Sequence, residues 1–299
     1  LACSGRVPAD TRHDADTDSD TDSDSDSDTD SDADTDTGPL RYGWWGSIGE
    51  GVLSEPRGLA LTDSALLVAD SGNGRLVEFT LDGTFVRAFG EAELDTPKHL
   101  SLDEQGGLWV ADTVTNRVHR FDDGVSTLTL GQDLSGPYAA LRIGDEVFVT
   151  DYEHHRVAVF AAQDEGALLR TFGDEVELDK PSGLLRAGDD ALLVASTLDD
   201  VLCVYEGEHR VGTLGDVGPA RLNDPHQMAR DPDGGLWVAD QFNYRVVKLT
   251  PDGELRLALG DRGGGDGQLD WPFGVGVSAD GRVYVADMKN DRVAVWAPE

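Results

Sequence analysis

An aspartate that closes a hydrophobic triplet, followed five residues later by an arginine, recurs five times in this chain: Asp70/Arg75, Asp112/Arg117, Asp151/Arg156, Asp240/Arg245 and Asp287/Arg292. A sixth copy carries Ser196 and Val201 in these places. Because both members are lost together, the two side chains are expected to touch. The marker positions 70, 112, 151, 196, 240 and 287 are separated by 42, 39, 45, 44 and 47 residues. A unit of that length stacks its apolar faces on its neighbours, and the period is that of a propeller blade.

Each copy has one grammar. A proline opens it (Pro56, Pro97, Pro137, Pro181, Pro225, Pro272), a short apolar strand follows, and an acidic or glycine turn leads to a second strand such as Leu108-Trp-Val-Ala-Asp112. A loop, often with asparagine (Asn73, Asn116, Asn243, Asn290), enters a third strand, and a fourth ends in an apolar residue plus glycine, as at Phe89-Gly90 and Phe172-Gly173. Four short strands separated by Asn, Asp and Gly turns form an antiparallel meander. The repeat resembles that of the NHL family, most closely in Gly267-Gln-Leu-Asp-Trp-Pro272 and Val283-Tyr-Val-Ala-Asp287. This resemblance covers residues 40–299 and implies an all-β fold, a six-bladed β-propeller of four-stranded antiparallel blades. It says little about function.

A ring with an open edge strand invites aggregation, so the ring must close. The sixth copy runs out after its third strand, at Val293-Ala-Val-Trp296, and Leu40-Arg-Tyr-Gly-Trp-Trp-Gly46 ends in the aromatic-glycine signature of a fourth. Segment 40–46 is therefore expected to pair beside 290–296. Trp109, Phe148, Trp237 and Tyr284 share one repeat position and are read as core.

The chain divides into a spacer, residues 1–38, and a propeller, residues 39–299. In the spacer, aspartate fills every even position from 14 to 36 between Ser, Thr and Ala, a composition that cannot offset chain entropy by burial and reads as disordered. Its Asp-x-Asp runs lack the glycine and glutamate of a calcium loop. Leu1-Ala-Cys3 resembles the end of a bacterial lipoprotein signal, which implies lipidation at Cys3 and an extracytoplasmic place in the cell envelope. Ser4 after the cysteine resembles the pattern of lipoproteins sent to the outer membrane or cell surface. The other cysteine, Cys203, reads as a buried strand residue, so no disulfide framework is expected.

The formal net charge is −34, and 13 Asp against two Arg place −11 of it in residues 1–38. Both parts repel polyanions, so nucleic acid is not an expected partner. Membrane contact is expected only through the lipid anchor, and the chain is expected to be a monomer.

Function has to come from a site. Side chains following the blade-opening prolines and those on the loop after each second strand lie on one face of a propeller. There stand Arg57, Lys98, Tyr138, His226 and Phe273, with Tyr152, Phe242 and Tyr244 on the second loop. One place further on, where Gly58, Ala139, Gly183 and Gly274 are small, His99 departs and joins the candidate set. Aromatic and basic side chains on a rim suit a protein partner or a small polar ligand. The expected role is a non-enzymatic binding or scaffold module without cofactor, since Gly-x-Ser-x-Gly, His-Glu-x-x-His and Walker signatures are absent. The alternative is a metal-dependent lyase or hydrolase in the central channel. His99 and His226 resemble the channel histidines of the peptide-amidating propeller lyase, which implies zinc, and six-bladed lactonases imply calcium, but zinc needs about three protein ligands. Arg142, Arg186 and Arg230, five places after their prolines, are expected to pair with Asp145, Asp189, Asp190 and Asp231.

Overall fold

A computed structural model describes residues 41–299 apart from 164–165, 189–190 and 217. Cys3, the aspartate-rich spacer, Leu40, Asp189 and Asp190 lie outside the described residues. Within them stand six four-stranded antiparallel sheets, one per copy of the repeat. Five are built from consecutive strands that begin at the blade-opening prolines: Pro56–Leu61, Pro97–Leu102, Pro137–Ile143, Pro181–Arg186 and Pro225–Arg230. The sixth takes Pro272–Val277, Val283–Asp287 and Arg292–Pro298 from the end of the chain and Tyr42–Ile48 from its beginning. The six-bladed β-propeller and its closure by an N-terminal strand are thereby established. No described helix is long and apolar enough to cross a membrane.

Closure pairs Tyr42 with Pro298, Trp44 with Trp296 and Ile48 with Val293, so both partners sit two residues later than the sequence suggested. The Trp44 ring meets Trp296 edge-on at 5.3 Å. Trp45 points outward instead and is 42% exposed, because successive strand residues face opposite sides. Trp109, Trp237 and Tyr284 are fully buried between blades, whereas Phe148 is half-buried. Each buried polar handle is satisfied: the indole N–H of Trp109 donates to Asp103 at 3.0 Å, that of Trp237 to Asp231 at 3.2 Å, and the Tyr284 hydroxyl to the Leu81 carbonyl at 3.0 Å.

The marker aspartates hold the loop geometry of this frame. Asp240 accepts from Arg245 Nε at 2.7 Å, from Asn243 Nδ2 at 2.9 Å and from the Asn223 backbone N–H at 2.7 Å. One carboxylate therefore ties the hairpin to the loop that enters its own blade. Asp70 and Asp287 repeat the arrangement, and in blade 3 His154 replaces the asparagine beside Asp151. Blade 4 keeps the tie without the charge: Ser196 Oγ accepts from the Asp179 N–H at 2.8 Å and donates to Asp199 at 2.6 Å.

Blade 2 corrects the expectation. Arg117 donates to the Gly131 carbonyl at 3.1 Å and makes no salt bridge with Asp112, which takes the backbone N–H groups of Asp95 and Thr96. The cause lies in the loop. Asn116 stands four residues after its aspartate rather than three, takes the left-handed conformation (φ 55°), and accepts from Gly136 N–H. Two of the three arginines, Arg142 and Arg230, also differ from expectation. Arg142 bonds Gln105 at 2.6 Å and reaches Asp103 at 3.4 Å rather than Asp145, and Arg230 donates to the Gly234 carbonyl because Asp231 is engaged by Lys248.

Candidate functional site at the channel mouth

The innermost strands bring one side chain per blade to one end of the central channel, immediately after each proline. Three are stacked or tilted rings. His226 lies on Phe273 at 3.9 Å, and Tyr138 stands 6.1 Å from both. Tyr152, from the loop after the second strand of blade 3, stacks on Tyr138 at 4.4 Å. Two cations border the rings: the Arg57 guanidinium lies 5.2 Å from the Phe273 centroid, and Lys98 Nζ lies 5.3 Å from Tyr138 and 6.0 Å from Phe273. Cations over ring faces are attracted by the quadrupole. Blade 4 contributes buried Ser182, whose hydroxyl donates to the Pro225 carbonyl at 3.1 Å.

Electrostatics at the mouth are unusual. Lys98 is only 7% exposed, and among the described residues it has neither a hydrogen bond nor a carboxylate partner. Burial, then the neighbouring Arg57 charge, push its ammonium down to about 7. Arg57 meets only Glu55, at 3.4 Å, and its Nε is buried without a partner. His226 Nε2 pairs with Gln241 at 2.7 Å while Nδ1 is buried and unpartnered. Burial raises the hydroxyl of Tyr138, and of Tyr152, above the ordinary phenol range, so both rings stay neutral.

One place deeper, Gln227 reaches across blade 6 to blade 1, donating to the Leu59 carbonyl at 2.6 Å and accepting its N–H at 3.0 Å. The glycine at 274 makes room: a Cβ there would sit 2.8 Å from Gln227 Oε1 and collide with the Arg57 carbonyl. On this level lies His99, which lines a cavity of about 290 Å³ together with Leu59, Leu141, Leu184, Met228 and Val275. Its Nδ1 is unpartnered, and burial pushes the imidazole down to about 4.

The fold thus gathers Arg57, Lys98, Tyr138, Tyr152, His226 and Phe273 and leaves three candidates apart. His99 faces the apolar cavity, Tyr244 lies under Arg262 (4.8 Å), and Phe242, 44% exposed, packs edge-on against Trp271 at 5.8 Å. The residues preceding the prolines were missed. Lys180 sits over Tyr152 at 4.9 Å, Lys289 over Trp271 at 5.1 Å, and Lys289 also holds Glu55 at 2.9 Å. Glu55, Lys180, Asp224 and Trp271 all take positive φ (46–60°), a strained backbone for non-glycine residues. Their position directly before each proline was the available signal. Among the described residues no group of three or more His, Cys, Asp or Glu side chains could hold a metal ion.

No family model matches the chain. Among characterised proteins it is 29% identical over 191 residues to the virginiamycin B lyase of Nocardia farcinica, a match that covers 63% of this chain and 62% of the lyase. It is 30% identical over 104 residues to NHL repeat-containing protein 3 of Mus musculus, covering 34% of this chain and 29% of that protein. The chain thus spans less than two thirds of either relative. Among solved structures, a streptogramin B lyase superposes with a TM-score of 0.62 at 16% identity, covering 87% of this chain and 98% of the lyase. A gluconolactonase of Xanthomonas campestris does so with a TM-score of 0.65 at 17% identity, covering 83% and 87%. At such identities the solved structures speak for the fold alone. With the strand order they place this chain among six-bladed β-propellers with NHL-like repeats.

Proposed function

We propose that this chain is a binding module without a catalytic step, and that the channel mouth of Arg57, Lys98, Tyr138, Tyr152, His226 and Phe273 captures a protein or a small polar ligand. The observation that carries this reading is Lys98. A largely buried lysine without an ion-pair partner costs stability, and a residue that costs stability without a structural partner points to recognition. Neutral rings around it supply a rigid, low-entropy contact surface.

Localisation belongs to the same proposal: the propeller is held in the cell envelope, extracytoplasmic, through lipid on Cys3 and the acidic spacer, and works as a monomer. Mass spectrometry of the membrane-extracted chain would then find an acylated Cys3. An unmodified Cys3 would refute the anchor while leaving the site untouched.

Capture from envelope extract tests the site. Tyr138→Ala and His226→Ala are expected to fold normally, and at least one to weaken capture by about 1 kcal/mol or more, the scale of an interface residue that matters. Asp82→Ala with Asp252→Ala, in the turns between the third and fourth strands of blades 1 and 5, should capture like the parent. Rim variants that capture normally while the turn variants fail would place the site elsewhere.

The second reading, a lyase or hydrolase in the channel, is favoured by the similarity to virginiamycin B lyase. Metal content separates the two. Stoichiometric zinc or calcium surviving dialysis would favour the enzyme, although His226 is already engaged by Gln241 and His99 faces an apolar cavity.

A further inference from the structure

We infer that the channel mouth is an oxyanion site, in which a carboxylate or phosphate group of a small ligand seats against Lys98 Nζ and the Arg57 guanidinium beside the faces of Tyr138 and Phe273. The inference rests on the binding reading and specifies the chemistry it recognises.

The molecule contains its own control. Lys248 is as buried as Lys98, 6% against 7% exposed, and likewise lies over an aromatic ring, Trp237 at 5.9 Å; it is neutralised by an ion pair with Asp231. Arg292, also 6% exposed, is paired with Asp287 at 2.9 Å. Lys98 departs from this pattern in a chain with 58 acidic residues. Nor is a nearby carboxylate free to serve it. Glu55 is held by Lys289 at 2.9 Å, and Asp112 accepts two backbone N–H groups at 2.7 and 3.0 Å.

Two like charges are therefore brought to one end of the channel, where Glu55 reaches Arg57 at 3.4 Å while Lys98 has no ion-pair partner, and a bound anion supplies one. A cationic ligand is disfavoured because Arg57 and Lys98 already occupy the attractive faces of Phe273 and Tyr138. Carboxylate and phosphate both present acceptor oxygens to ammonium and guanidinium groups.

The charged and titratable groups around Lys98 are Arg57, Glu55 and Asp112, with Tyr138 and His226 in the ring stack and Asp224 3.5 Å from His226. Tyr138 stays neutral through the neutral range. Since Lys98 discharges above about 7, anion affinity is expected to fall by about tenfold per pH unit between 7 and 8.5 and to level off below 7.

Calorimetric titration of the full chain with benzoate, phenyl phosphate and uncharged benzamide, at pH 6 and 8.5, tests this. One or both anions should bind with unit stoichiometry and benzamide at least tenfold more weakly; preference between the anions identifies the carboxylate or phosphate source. Lys98→Met should lose binding while melting cooperatively. Lys98→Arg should retain binding at pH 6 but lose the pH slope, and His226→Asn should retain the slope. Equal binding by Lys98→Met, or benzamide binding as well as benzoate, would overturn the inference. So would failure of both anions to bind at millimolar concentration; if rim variants still lost partner capture, that failure would remove the oxyanion chemistry and leave the binding surface standing.

Discussion

Lys98 and His99 are consecutive residues of one strand and belong to opposite levels of one channel. Lys98 stands among rings and an arginine; His99 lines an apolar cavity with leucines, a methionine and a valine. Both are buried and burial lowers the proton affinity of both, yet the surroundings differ in kind. Along the deeper cavity five of the six copies supply a large apolar residue three places after the proline, Leu59, Leu100, Leu184, Met228 and Val275, and similarity across copies is what packing requires. At the mouth the six copies supply six different residues. In a repeat protein, a position that refuses to repeat while its flanking prolines do is where recognition can be built.

Both levels exist only while the ring is closed, so the harshest test opens it. Deleting residues 1–38 is expected to leave the melting temperature nearly unchanged. Deleting residues 1–48 removes the strand Tyr42–Ile48 and the Trp44–Trp296 contact, and should abolish soluble expression or lower the midpoint sharply. Equal midpoints would mean that closure does not hold the molecule together.

Titration sharpens the contrast within the pair. Unfolded, Lys98 keeps its proton to about 10.5; folded, to about 7. Between those values the unfolded state binds the extra proton, so this residue's contribution makes stability rise with pH, and below 7 its full penalty is present. Lys98→Met should therefore stabilise the protein by on the order of 3 kcal/mol near pH 6, with the gain vanishing towards pH 10.5. His99 falls from 6.5 to about 4 on folding, so stability is lost as pH drops through that window. His99→Gln should flatten the decline by on the order of 3 kcal/mol. Urea midpoints across pH measure both, and a variant that parallels the parent at every pH would refute its assignment.

The marker hairpins give a smaller effect. Arg245→Val should cost about 1–3 kcal/mol by stripping a donor from buried Asp240. Arg117→Val, at an exposed arginine that does not touch its aspartate, should cost about 0.5 kcal/mol or less. Adding Asp240→Ser to Arg245→Val, as blade 4 has it, should recover part of the loss. Strict additivity of those two substitutions would show that they do not interact.

The fold was legible because it is periodic: six prolines, six apolar triplets and one truncated copy dictate the blades and the closing strand before any coordinate is known. What escaped is what a period cannot carry. Arg117 leaves its aspartate because Asn116 is displaced by one residue, and only the three-dimensional loop shows where each then bonds. The mouth was half legible. Position after proline selected the stacked rings and both cations, but strand alternation across a register shift sends His99 away from them, between Pro97 and His99. Lys180 and Trp271, which precede the prolines, went unread because positive φ at a residue before proline has no side-chain signature.

Closure by the two ends of the chain also governs how the protein is made. During synthesis the strand Tyr42–Ile48 emerges before every other described strand and its partner, Arg292–Pro298, after them. Blades 1 to 5 can form as local meanders while the chain grows, since their strands are consecutive. The sixth must wait. Joining its ends carries the loop-closure entropy of some 250 intervening residues, a cost that grows only with the logarithm of their number. Until that step the nascent ring exposes an unpaired edge on blade 6 and an unsatisfied strand at the other end. The last event of folding is therefore also the one most open to pairing with a second chain.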